Sequence, residues 1–168
     1  MGCSRKKPNP KDVVFTDPIV AIHIIKHFHP SGFLLDLCKG DGAFYNNFPA
    51  DCKKAYCELS EGLDFFEWKT QVDWIISNPP YSVYYDFLEH AFAVCRNIVF
   101  LLPINKPFES LRNMALVNKY GSIQSMIAYG RGDGINFPFG YAIGAFYFER
   151  GNFKSSIIMT HPKMKENE

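Results

Sequence analysis

The apolar run Val72-Asp73-Trp74-Ile75-Ile76 halts at Ser77-Asn78-Pro79-Pro80-Tyr81, and this stretch constrains the chain most. A short segment rich in Ile and Trp that is closed by two prolines reads as a buried strand ending in a rigid turn. Each proline fixes φ, and Pro80 also keeps the residue before it out of the helical region. The Asn78 side chain and the Pro79 carbonyl are therefore held in one orientation, two hydrogen-bond acceptors beside the flat ring of Tyr81.

That set suits one chemical task. An aromatic exocyclic amine is a poor nucleophile because its lone pair is delocalised into the ring. Two acceptors gripping its N–H bonds favour the pyramidal, nucleophilic form as it attacks. An aromatic face such as Tyr81 would stack on the ring that carries the amine.

The rest of the chain fits a globular domain with a real core. It has 168 residues, of which 47% are hydrophobic and 16% aromatic. The net charge of +1 neither demands nor excludes nucleic acid, since a local basic patch can still hold phosphate. No apolar run approaches membrane-spanning length and no signal peptide is visible, so no membrane partner is expected. Cys3, Cys38, Cys52, Cys57 and Cys95 are odd in number and form no Cys-x-x-Cys pair, which fits reduced thiols and a cytoplasmic setting. His23 and His27 lie one helical turn apart without a third ligand nearby, so no metal site is expected.

Earlier in the chain, Thr16 or Asp17 can cap a helix that has Pro18 in its first turn and ends before Pro30-Ser31-Gly32. Phe33-Leu34-Leu35-Asp36-Leu37-Cys38 reads as a buried strand. Lys39-Gly40-Asp41-Gly42-Ala43-Phe44 then makes a tight turn into a short helical stretch toward Phe48, with backbone N–H groups and the positive helix end facing outward. A second strand, Lys53 to Glu58, ends in a carboxylate about twenty residues later, the spacing expected of an acid that accepts from ribose hydroxyls. Asn78 follows after another interval of about twenty residues. Between them, Asp64 offers an acceptor for an adenine amino group, and Phe65 is either a stacking face or core.

Taken in order, these motifs resemble the class I S-adenosylmethionine-dependent methyltransferases that methylate amino groups, and most closely the N6-adenine DNA methyltransferases. The resemblance covers nearly the whole chain. Asp36-Leu37-Cys38-Lys39-Gly40-Asp41-Gly42-Ala43-Phe44 is similar to the family's cofactor loop, and Asn78-Pro79-Pro80-Tyr81 to its catalytic tetrapeptide. Phe15-Thr16-Asp17-Pro18 is similar to the segment near the methionine end of the cofactor, with Asp17 where the family more often has Pro or a small residue. The resemblance implies a Rossmann-like α/β sheet, mostly parallel with an antiparallel last strand and helices on both faces. It implies S-adenosyl-L-methionine as cofactor, held by Phe15, Thr16, Asp36, Cys38, Gly40, Gly42, Phe44, Glu58, Asp64, Phe65 and Asn78. Asn78, Pro79 and Tyr81 would act on the target amine.

Helices over Tyr85 to Cys95 and Phe108 to Asn118, a strand over Asn97 to Leu102 and a closing pair over Ile123 to Tyr129 and Tyr141 to Phe148 complete the expected architecture. The Gly- and aromatic-rich loop 130–140 could line a target pocket, with Phe137 or Phe139 stacking and Arg131 on phosphate. Residues 1–12 read as a basic tail, 13–153 as one catalytic domain and 154–168 as a C-terminal tail, with no separate target-recognition domain. Recognition then falls to loops 106–113 and 130–140, to a second subunit, or to a substrate other than duplex DNA. The expected reaction is methylation of the exocyclic N6 of adenine in DNA, in cytoplasm or, for a phage enzyme, in host cytoplasm. Three other readings stay open: an RNA adenine methyltransferase, a glutamine N5-methyltransferase, and a non-catalytic subunit that binds cofactor or nucleic acid.

Overall fold

A computed structural model describes residues 14–131, 140–157 and 159. Helix α1 (Pro18–Phe28) begins where the Asp17 carboxylate accepts from Ile19 N at 2.9 Å, so Asp17 rather than Thr16 is the cap. It ends at His29, whose left-handed backbone (φ 47°) precedes Pro30. Strands β1 (Phe33–Asp36), β2 (Lys53–Tyr56), β3 (Val72–Ser77) and β4 (Cys95–Pro103) run parallel, and β6 (Ile143–Arg150) lies antiparallel between β4 and β5 (Gly121–Gly130). The order is β2-β1-β3-β4-β6-β5. Helices α2 (Tyr84–Val94) and α3 (Leu111–Tyr120) precede β4 and β5.

Period-two alternation along the strands sorts the core into two layers. Leu34, Ile76, Val99, Leu101 and Ala145 face α1, packing on Val20, Ala21, Ile24 and Ile25. Their neighbours Leu35, Ile75, Ile98, Phe100, Leu102 and Phe146 face α2 and α3, packing on Leu88, Ala91, Phe92, Leu116 and Val117. Helices thus cover both faces of a mixed α/β sheet whose last strand is antiparallel.

The element boundaries differ from the sequence expectation in places. The third helix starts at Leu111, three residues after Phe108, because Ser110 caps it by accepting from Asn113 N at 3.1 Å. The stretch toward Phe48 is only a 3₁₀ turn, Tyr45–Asn47, so no helix dipole stands behind the Gly40 loop. Asn46 and Asn47 are weak helix formers, and Pro49 prevents continuation.

The chain leaves β1 for β2 on one side and returns to β3 on the other. The carboxyl ends of β1 and β3 therefore border a topological switch point, the crevice where open α/β sheets bind ligands.

Candidate functional site

Asp36 closes β1 at that crevice and is fully buried at 0% exposure. Ser77 Oγ, from the end of β3, donates to it at 2.7 Å, with Tyr45 N at 3.3 Å and Cys38 N at 3.4 Å. Burial raises its pKa to about 6 against the pull of these donors, and the Glu58 charge adds to the rise. Ser77 Oγ also lies 3.2 Å from Cys38 N, which joins the acid, the loop after it and the strand carrying Asn78 in one network.

The loop from Lys39 to Phe44 turns on Gly40 and Gly42, at φ 53° and 91°. Gly40 N donates to Glu58 Oε2 at 2.9 Å, while Ser60 Oγ and N donate to Oε1 at 2.7 and 3.2 Å. Burial alone would raise the Glu58 pKa, but the Ser60 and Gly40 donors outweigh it and hold the carboxyl below its ordinary range. A second tie joins the same two segments. Lys39 Nζ pairs with Glu61 Oε1 at 2.5 Å over the Tyr56 ring, and Tyr56 OH donates to Glu61 Oε2 at 2.9 Å.

Across the loop stand Val14, Phe15 and Thr16. With Cys38, Gly40, Phe44 and Asn78 they line a pocket of about 20 Å³. Phe15, 57% exposed, lies 3.4 Å from the position a Cβ on Gly40 would take, so the loop backbone is approached closely there. Asn78 follows β3. Its Nδ2 donates to Val14 O at 3.1 Å and Thr16 Oγ1 at 3.2 Å, whereas its Oδ1 is buried with no hydrogen-bond partner. A buried acceptor left unsatisfied is costly, on the order of 1–3 kcal/mol, and marks the atom an incoming donor would meet.

The other sequence-predicted residues are dispersed. Pro79 is buried beside Asn78. Tyr81, 7% exposed, opens the 3₁₀ turn Tyr81–Val83 and lines a separate groove of about 880 Å³ between α2 and α3. Asp64 caps the turn Phe65–Glu67 by accepting from Phe66 N at 2.9 Å. Phe65 is core: at 3% exposure it stacks on Phe87 and meets His90 edge-on. Of the two readings its position allowed, the inward one is the structure's. Arg131 is exposed just past β5, whereas Phe137 and Phe139 lie outside the described residues. Two contributors escaped sequence reasoning. Ser77 carried no signal beyond its place before Asn78, and the Val14 carbonyl carried none.

None of the described cysteines is set up as a nucleophile. Burial pushes the Cys57 and Cys95 thiols up to about 12 and raises those of Cys38 and Cys52 as well. The site instead holds a carboxylate-pinned Gly loop, a carboxylate at the next strand end and one free carboxamide oxygen.

No protein-family model and no curated protein sequence matches the chain. Solved structures do. The chain is similar to the 23S rRNA methyltransferase ErmE, with a TM-score of 0.63 at 10% identity over 83% of this chain and 71% of that one. A second is a Listeria monocytogenes protein provisionally assigned as a class I S-adenosylmethionine-dependent methyltransferase, at TM-score 0.59 and 14% identity over 87% and 61%. A third is the M protein of the type I restriction enzyme EcoKI, at TM-score 0.59 and 11% identity over 84% and 44%. This is the class I methyltransferase fold. The chain spans less than two thirds of the last two proteins, and at these identities the likeness is one of fold. In that fold Asp36, Gly40, Glu58 and Asn78 stand at the carboxyl ends of three adjacent strands, where the class I methyltransferase sheet has its switch point.

Proposed function

We propose that the chain transfers a methyl group from S-adenosyl-L-methionine to the exocyclic N6 amine of adenine in DNA. The observation that carries this reading is the buried, unpartnered Asn78 Oδ1 at the end of β3, beside a Gly loop and two strand-end carboxylates.

The residues fit the cofactor by the chemistry of their donors. Gly40 leaves backbone accessible at the turn, Glu58 holds two oxygens already kept ionised by Ser60 and Gly40, and Asp36 pins the loop from below. Glu58 would accept from ribose hydroxyls, Asp64 from the adenine amine, and Phe15, Thr16, Cys38 and Phe44 would enclose the methionine end. The pocket of about 20 Å³ is smaller than such a ligand, so the exposed Phe15 ring over Gly40 would have to shift before it could pack against the bound methionine end. When bound, S-adenosylmethionine supplies an electrophilic methyl on a cationic sulfonium. The protein's task is then orientation. Asn78 Oδ1 and the Pro79 carbonyl would accept the two N–H bonds of the amine and so orient its lone pair, and the Tyr81 ring, which lines the separate groove at 7% exposure, would have to turn out toward Asn78 to stack on the base. In duplex DNA the base must first leave the stack. Loops 106–113 and 130–140, with Arg131, Phe137 and Phe139, or a second subunit, supply target recognition.

Asn78→Ala tests the reading. Transfer is expected to fall on the order of 100-fold or more while cofactor affinity changes by less than about tenfold. Transfer at the wild-type rate would remove Asn78 from the reaction.

A further inference from the structure

The Asn78 carboxamide has an acceptor end and a donor end of nearly the same shape, so hydrogen bonding alone decides which end meets the reacting group. Its Nδ2 carries two hydrogens, and two acceptors receive them, Val14 O at 3.1 Å and Thr16 Oγ1 at 3.2 Å. The two acceptors differ in kind. A backbone carbonyl has no proton to give, so a reversed carboxamide would set Oδ1 against Val14 O, acceptor facing acceptor. A hydroxyl is both donor and acceptor and would tolerate either end. The carbonyl therefore sets the polarity, and the hydroxyl takes the second N–H so that no donor remains to compete for the substrate.

The Thr16 acceptor is itself anchored. Thr16 is only 8% exposed, and it immediately precedes Asp17, whose carboxylate caps α1 through Ile19 N. Asp17 O accepts from Val20 N and Ala21 N at 3.0 and 3.2 Å, which fixes the backbone where the segment enters the helix. Helix α1 in turn packs Val20, Ala21, Ile24 and Ile25 against Ile76, two residues before Asn78.

We infer that Val14 and Thr16 form a positioning element for the carboxamide of Asn78: the Val14 carbonyl orients it, the Thr16 hydroxyl locks it, and the site presents only an acceptor to the substrate. Thr16 acts here through Asn78, in addition to enclosing the cofactor. Such a site admits an amine, which offers N–H, and opposes a ring carbonyl in the same place, which would set oxygen against oxygen. The inference rests on the methyl-transfer reading, and its test separates the two.

Thr16→Val removes the hydroxyl at nearly constant shape, and Thr16→Ser keeps it. With cofactor saturating, kcat for transfer to adenine-containing DNA is expected to fall about tenfold or more in Thr16→Val and to stay within about threefold of wild type in Thr16→Ser. The cofactor Kd, from calorimetry, shifts less than kcat, and Thr16→Val, which leaves one Asn78 N–H unpaired, melts only a few degrees below Thr16→Ser and stays folded. Equal loss in the two variants, a wild-type kcat in Thr16→Val, or a defect confined to cofactor Kd would overturn the inference. A second readout is independent of activity. The Asn78 side-chain NH2 protons, followed by NMR with Asn78→Asp to assign them, exchange slowly in wild type and Thr16→Ser and faster in Thr16→Val. Equal exchange in wild type and Thr16→Val would overturn it whatever the reaction. Protected Asn78 protons in a wild-type protein that transfers no methyl group would retain the positioning and reject the functional reading.

Discussion

Replacing Asp36 by Asn should make the protein more stable at alkaline pH and should damage its function. The carboxyl is buried between β1, β3 and the Gly40 loop, and its pKa rises from an ordinary 3.8 to about 6. A native state that holds this proton more tightly than the unfolded chain loses stability as pH rises from about 3.8 to about 6, and the whole cost persists above that window. At about 1.4 kcal/mol per pH unit the cost reaches about 3 kcal/mol at pH 8, and roughly half of it is already present at pH 5. Asn keeps an oxygen for Ser77 Oγ and Cys38 N but turns its NH2 toward Tyr45 N, a donor facing a donor, which costs about 1 kcal/mol. The variant should therefore gain about 2 kcal/mol at pH 8, and its advantage should grow by about 1.5 kcal/mol between pH 5 and pH 8. Urea denaturation at the two pH values measures this difference directly. A stability difference that does not change with pH would mean that the Asp36 carboxyl is not perturbed by its burial. Loss of cofactor binding in a more stable protein would mark Asp36 as a residue kept for function at a cost in stability.

The remaining predictions concern the second acid and the far edge of the sheet. Glu58→Ala removes the acceptor that holds Gly40 N and faces the ribose position, so cofactor affinity should fall about 10- to 100-fold by calorimetry; an unchanged Kd would sink the assignment. Gly121→Ala should destabilise the fold by about 1–3 kcal/mol in the same denaturation assay, because the new methyl would collide with the Glu149 carbonyl on β6. Its backbone, at φ 172°, is extended, so any loss there reports crowding rather than conformational strain.

Three strand ends made the site legible in the sequence. Asp36, Glu58 and Asn78 each follow an apolar or β-prone run, and the sheet order β2-β1-β3 sets those runs side by side. Their regular spacing reflects the strand-turn-strand repeat of a parallel sheet, a local property that sequence patterns report well. What the sequence could not supply was contact across the sheet. Ser77 meets Asp36 over a separation of 41 residues, and Val14 O meets Asn78 over 64. A serine at a strand end looks the same in sequence whether its hydroxyl faces water or a buried carboxylate. Phe65 is ambiguous in sequence for a related reason: a 3₁₀ turn has no period that separates an inward ring from an outward one, and packing on Phe87 and His90 decides it. The stretch after the Gly loop is a single 3₁₀ turn, Tyr45–Asn47, ahead of Pro49, and carries too few residues for a 3.6-residue pattern to tell it from a helix.

Transfer of labelled methyl from S-adenosylmethionine to duplex DNA, single-stranded DNA, total RNA and a protein extract, followed by nucleoside and amino-acid analysis of the labelled product, identifies both the reaction and the polymer. Label is expected in N6-methyladenine from DNA, and Asn78→Ala is expected to abolish it. Label in another base position, in RNA alone or in glutamine would contradict the N6-adenine assignment, as would cofactor binding without transfer to any of the four.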